Sequence, residues 1–137
     1  MSNQIKRIML VDDNKVDNFF HTRIIKKYDD TIELIIKESA YDAIHYLTNS
    51  NKALLPNIIF LDINMPGMNG WEFIEHYKTL DESLQKSMIV VMLSTSENPD
   101  DEALAATHDL LADFKSKPLT HSMLDDVFAT YYLKCRI

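Results

Sequence analysis

NIIFLDINMPGMNG, residues 57–70, leads an apolar run into an acid, Asp62, and then into a turn that holds both glycines of the chain, Gly67 and Gly70. Asn57 to Leu61 has no polar residue after its first. That is the pattern of a strand covered on both faces, as strands of parallel sheets are. Outward from it, four more short runs read as strands: Ile5 to Val11, Ile32 to Lys37, Met88 to Leu93 and Ala112 to Ser116.

Between and after these runs lie five stretches with helical spacing. The first should begin near Lys15, with Val16, Phe20 and Ile24 at i, i+4 and i+8 forming an inward stripe. Ser39 suits the N-cap of the second, which would turn Ala40, Ala43, Ile44 and Leu47 inward. The third runs from about Gly70 to Leu80 with Phe73, Ile74 and Tyr77 on one side. Asn98-Pro99-Asp100-Asp101-Glu102 supplies the fourth with a cap, a first-turn proline and acids in its positive first turn. The fifth begins at Thr120 and buries Leu124, Val127, Phe128 and Tyr131. Strand alternating with helix gives an α/β fold: a parallel sheet of five strands with helices on both faces. Its site should lie at the carboxyl ends of the strands.

Composition narrows the function. The 137 residues, 46% of them apolar, suit one domain with one ordinary core. Two glycines, three apart, fit neither dinucleotide nor P-loop spacing. A formal net charge of −7 opposes nucleic acid and anionic membrane surfaces as direct partners. The single Cys135 leaves no intrachain disulfide, and no apolar run has the length of a signal peptide's core or a membrane span. A cytoplasmic protein is the expectation.

Four of the five strands end in chemistry. Asp12-Asp13 follows the first, Asp62 through Gly70 the third, Ser94-Thr95-Ser96 the fourth, and Lys117-Pro118 the fifth. The fold would gather three carboxylates, a hydroxyl and an ammonium in one cleft. Two carboxylates about 5 Å apart repel by roughly 3 kcal/mol at an effective dielectric of about 20. Three together demand a cation or a proton, and an all-oxygen donor set suits Mg²⁺ or Mn²⁺ rather than zinc.

Asp-Asp, then Asp-x-Asn-Met-Pro-x-Met-x-Gly, then Ser-Thr, then Lys-Pro, each closing its own strand, resembles the receiver domain of two-component response regulators. The chain is similar to single-domain chemotaxis regulators over nearly its whole length. The resemblance implies a flavodoxin-like three-layer sandwich with strand order 2-1-3-4-5. It implies that Asp62 accepts a phosphoryl group, that Asp13 and Asp62 ligate Mg²⁺ with the backbone carbonyl of Asn64, and that Asp12 assists. Lys117 would pair with Asp62 and then with the phosphoryl group. Ser94 would hydrogen-bond a phosphoryl oxygen, the Thr95 N–H would add a contact, and Phe114 would stand at the aromatic switch position. The partners implied are a sensor histidine kinase or histidine phosphotransfer protein upstream and a protein effector downstream. With residues 1–137 read as one receiver and no output module after Ile137, the signal would pass by protein contact.

Three departures from the family pattern stand out. Thr95 replaces a commonly small alanine, Phe114 lacks the hydroxyl of the common tyrosine, and His108-Asp109 occupies a turn that usually holds glycine. The first should alter the lifetime of the phosphorylated state. Other functions fit less well. An aspartate-nucleophile phosphatase needs a second aspartate where Asn64 stands, and a flavin carrier needs a hydroxyl-rich loop where Asp12-Asp13 stands. A pseudo-receiver that binds partners without phosphorylation is the remaining alternative. None of the five histidines is required by the chemistry. Trp71 should be a half-exposed packing residue beside the cleft, and Met65 and Met68 should pin the loop after Asp62.

Overall fold

The computed structural model describes residues 5–94, 99–107 and 111–135. Five strands form one parallel sheet in the order β2-β1-β3-β4-β5. They are β1 (Arg7–Val11), β2 (Glu33–Lys37), β3 (Ile58–Asp62), β4 (Ile89–Ser94) and β5 (Leu111–Ser116). The helices are α1 (Lys15–Tyr28), α2 (Ala40–Asn49), α3 (Gly70–Tyr77), α4 (Glu82–Gln85), α5 (Pro99–Ala106) and α6 (His121–Lys134). Each expected strand and helix is present. The short α4 and a 3₁₀ turn at Lys52–Leu54 are additions that no apolar periodicity announces, because neither buries a residue fully.

Alternation along the strands divides the core in two. Met9, Val11, Ile59, Leu61, Val90 and Met92 face α2 and α3, where Ala40, Ala43, Leu47, Phe73, Ile74 and Tyr77 are buried. Ile8, Leu10, Ile58, Phe60, Val91 and Leu93 face α1 and α6, packing on Ile25, Leu124, Val127 and Tyr131. Strands β3 and β4 are buried at every position. Their near-continuous apolar sequence thus has its cause in helices on both faces.

Caps set where the helices begin. The Ser39 side chain accepts from the Asp42 N–H, and Thr120 from the Met123 N–H, as their residue types lead one to expect. Asn14 caps α1, and Asn69 with Glu72 forms a reciprocal capping box on α3.

The stripe expected on α1 is wrong at two of its three positions, only Ile24 being half-buried against the core. Val16 and Phe20 are 61% and 58% exposed, and Phe19 is exposed beside them. The buried positions are Asn18, His21 and Ile25. Their spacing, i, i+3 and i+7, is helical, but two of the three are polar, so a search for apolar recurrence passes over them.

Candidate functional site

Register brings the acids together. Val11 pairs with Leu61 across β1 and β3, so Asp12 and Asp62 emerge side by side at the carboxyl edge of the sheet. Strand order reverses here, since the chain leaves β1 for β2 on one side and reaches β3 on the other. Asp62 extends the alternation of Ile58 and Phe60, and Asp12 that of Ile8 and Leu10, so both side chains face α1 and α6. Carboxylate oxygens of Asp12, Asp13 and Asp62 lie within 4.8 Å of one another, with Asp12 and Asp62 buried and Asp13 exposed.

Lys117 spans the cluster. Its backbone N–H donates to the Ser94 carbonyl at 2.7 Å, which fixes the end of β5 against the end of β4. The Lys117–Pro118 peptide bond is cis. The side chain, only 8% exposed, brings Nζ to 2.6 Å from Asp12 Oδ2, 2.8 Å from Asp17 Oδ2 and 3.3 Å from Asp62 Oδ1. Burial opposes the ammonium. The hydrogen bonds to Asp12 and Asp17 and the charges of Asp12 and Asp62 overcome that, and the Lys117 pKa is held above its ordinary value.

One ammonium does not satisfy three or four carboxylates. Burial first, and the Asp12 charge second, push Asp62 up to about 6 in spite of the pull from Lys117. A carboxyl held so far above 3.8 beside two other acids marks a site short of positive charge. An oxygen-ligated divalent cation would supply that charge, and the donor set fits one. Asp12 is itself fixed: its Oδ1 accepts from the Asn14 N–H at 2.9 Å, and its carbonyl accepts from Asn18 Nδ2 at 2.9 Å.

The loop after Asp62 is held down closely. Met65 and Met68 are buried, Asn64 is exposed, and the Gly70 N–H donates to the Ile63 carbonyl at 2.8 Å. Gly67 has φ +79°, and a Cβ there would also come within 3.1 Å of the Tyr41 ring. At Gly70 a Cβ would meet the Asp62 carbonyl oxygen at 2.9 Å and Ile63 Cα at 3.0 Å. Only glycine lets α3 start this close to the backbone of Asp62.

Ser94 is fully buried, and Phe114, half-buried, packs against the core that contains Val90 and Met92. Met92 pairs with Phe114 and Ser94 with Ser116, so the serine and the aromatic ring share one face of the sheet, two residues apart. Trp71 is half-exposed and packs against the same core, as expected. Thr95, the cap residue Asn98 and the turn His108-Asp109 lie outside the described residues.

Two residues of α1 join the cluster without having been singled out. Asp17 contacts Lys117 directly. His21, one turn further on, is buried; burial and the Lys117 charge both lower its pKa. The available signal was the acid at the third helical position after the Asn14 cap, which reads equally as capping.

Comparison with known proteins agrees with this geometry. The model of the response regulator receiver domain matches residues 8–129. The chain belongs to the response regulator receiver family. Among curated relatives of the receiver, response regulator Rcp1 of Synechocystis is 34% identical over 103 residues, covering 73% of this chain and 69% of that protein. A protein-glutamate methylesterase/protein-glutamine glutaminase of Xanthomonas oryzae is 33% identical over 112 residues, 82% of this chain but 29% of its own length. The likeness therefore reaches only a part of that enzyme. The crystal structure of a two-component response regulator from Cytophaga hutchinsonii superposes with a TM-score of 0.86 at 34% identity, covering 95% of this chain and 98% of that one. A response regulator receiver protein from Dyadobacter fermentans gives 0.84 at 26%, covering 93% and 98%. No helix among the described residues is long and apolar enough to cross a membrane.

Proposed function

We propose that this receiver is a phosphorylation-dependent signalling switch whose acceptor is Asp62. The observation that carries the reading is the buried Lys117 ammonium set among Asp12 and Asp62 at the switch point of the sheet, with Asp13 completing a trio within 4.8 Å. Asp12, Asp13 and Asp62, with the carbonyl of Asn64, would hold Mg²⁺ or Mn²⁺. Bound there, the ion neutralises charge on the phosphoryl oxygens.

The residues of the chain do the rest. An oxygen of Asp62 attacks phosphorus in line; the N–P bond of a phosphohistidine breaks, and its electron pair stays with the imidazole. Lys117 balances charge on the equatorial oxygens, which is the main service a protein can offer such a transfer. Ser94 then donates to a phosphoryl oxygen and the Thr95 N–H adds a second contact. Drawn toward the phosphoryl group, Ser94 shifts the end of β4, and Phe114 on the same face repacks. The surface of α5, β5 and α6 is the two-state element so biased. The donor is a histidine kinase or histidine phosphotransfer protein in the cytoplasm, and the output passes to a protein effector by contact.

Removing the cation tests this. With phosphoramidate as donor, the chain should acquire an acid-stable, hydroxylamine-labile phosphoryl group in Mg²⁺, and chelation of the metal should abolish it. Mg²⁺ binding, seen by Trp71 fluorescence, without any phosphorylation would favour the pseudo-receiver reading instead.

A further inference from the structure

Among the carboxylates around Lys117, Asp17 stands apart. It lies on α1, outside the trio of acids that gather at the strand ends, yet its Oδ2 is 2.8 Å from Nζ. That is nearer than Asp62 Oδ1 at 3.3 Å. Asp17 cannot easily follow the ammonium elsewhere, because it sits in the first turn of a helix whose cap, Asn14 Oδ1, accepts its own backbone N–H at 3.0 Å. At about one-third exposed, its carboxylate meets solvent as well as Lys117.

We infer that Asp17 is a positioning residue that holds Lys117 toward α1 and competes with the phosphoryl group for it. This rests on the reading of Asp62 as acceptor. For Nζ to close from 3.3 Å onto the oxygens carried on Asp62, it must lengthen a shorter charge-assisted hydrogen bond to a fixed carboxylate, and such bonds are the stronger kind. Asp17 thus restrains phosphorylation, and it keeps the ammonium ordered in the buried site before transfer. Neutralising it weakens the competitor and leaves the acceptor, the trio of acids and Lys117 in place. Asp17→Asn preserves shape and an acceptor oxygen but removes the charge; Asp17→Glu restores it.

The test compares wild type, Asp17→Asn, Asp17→Glu and, as a control for net charge, Asp30→Asn in the exposed turn after α1. Initial rates with acetyl phosphate at saturating Mg²⁺ should rise about three- to tenfold in Asp17→Asn, the range expected of one modest ion-pair competition. They should stay near wild type in Asp17→Glu and Asp30→Asn. Without metal or donor, the Lys117 ¹⁵Nζ resonance should move in Asp17→Asn and not in Asp30→Asn. A rate unchanged or lowered in Asp17→Asn, or raised equally in Asp30→Asn, overturns the inference, as does an unmoved Lys117 resonance. If wild type takes no phosphoryl group, the functional reading fails, while the resonance still decides whether Asp17 holds Lys117.

Discussion

Asp62, the acceptor we propose, carries a cost. Its folded-state pKa of about 6 lies above the unfolded value near 3.8, so the native state binds its proton more tightly than the unfolded chain does. The stability this confers is fully present below pH 3.8 and is lost as pH rises through 6. At neutral pH the ionised Asp62 destabilises the fold by at most about 3 kcal/mol in the absence of a divalent cation. Asp62→Asn should therefore raise the melting temperature at pH 7.5 in chelator, and the gain should shrink toward zero near pH 4. A gain that is equal at both pH values would contradict burial and Asp12 repulsion as its source. The acids at the strand ends were legible in the sequence because each closes an apolar run. Asp17 and His21 were not, since polar residues on the inward face of a helix leave no mark in apolar periodicity.

Among the elements, the sharpest constraints fall on the loop from Asp62 into α3 and on α1. Gly67→Val must place a branched side chain at φ +79°, and Gly70→Val must push against the Asp62 carbonyl and Ile63 Cα. Each should cost about 1–3 kcal/mol or more, while Ala53→Val in the exposed 3₁₀ turn should stay within about 0.5 kcal/mol. Chemical denaturation checks both. Gly70→Val should also slow phosphorylation, because the clash displaces the backbone of Asp62, the proposed acceptor. Both glycines stood out from the sequence alone; the separate reasons, a left-handed turn at one and a close approach at the other, required the backbone path.

Helix α1 shows the opposite case. Its strongest apolar recurrence, Val16 and Phe20, points to solvent, and the buried line runs through Asn18, His21 and Ile25. The reason is the charged cluster at the end of β1. Asn18 donates to the Asp12 carbonyl and Asp17 reaches Lys117, and these contacts set the rotation of the helix. Ile25→Ala should then cost about 2–5 kcal/mol and Phe20→Ala less than about 1 kcal/mol in equilibrium unfolding. The reverse ranking would restore the stripe first read from the sequence.

At the scale of the whole molecule, the fold divides the labour between two faces of one sheet. Asp12, Asp62 and the Lys117 ammonium meet at the carboxyl edge on the side of α1 and α6, while Ser94 and Phe114 lie on the other face. A change at Asp62 can reach Phe114 through the end of β4, which pairs with β3 on one side and β5 on the other, or along β5 from Lys117. The parallel sheet with helices on both faces was readable from the alternation of apolar runs with helices, whereas the strand order followed from the resemblance to receiver domains. The partition of contacts between faces needed the register, which a bulge between Val90 and Val91 shifts in the pairing of β4 with β5.

The account stands or falls on which atom takes the phosphoryl group. Intact-mass measurement after incubation with Mg²⁺ and acetyl phosphate should show one phosphoryl adduct on the native chain and none on Asp62→Asn. An adduct of equal yield on Asp62→Asn would contradict it.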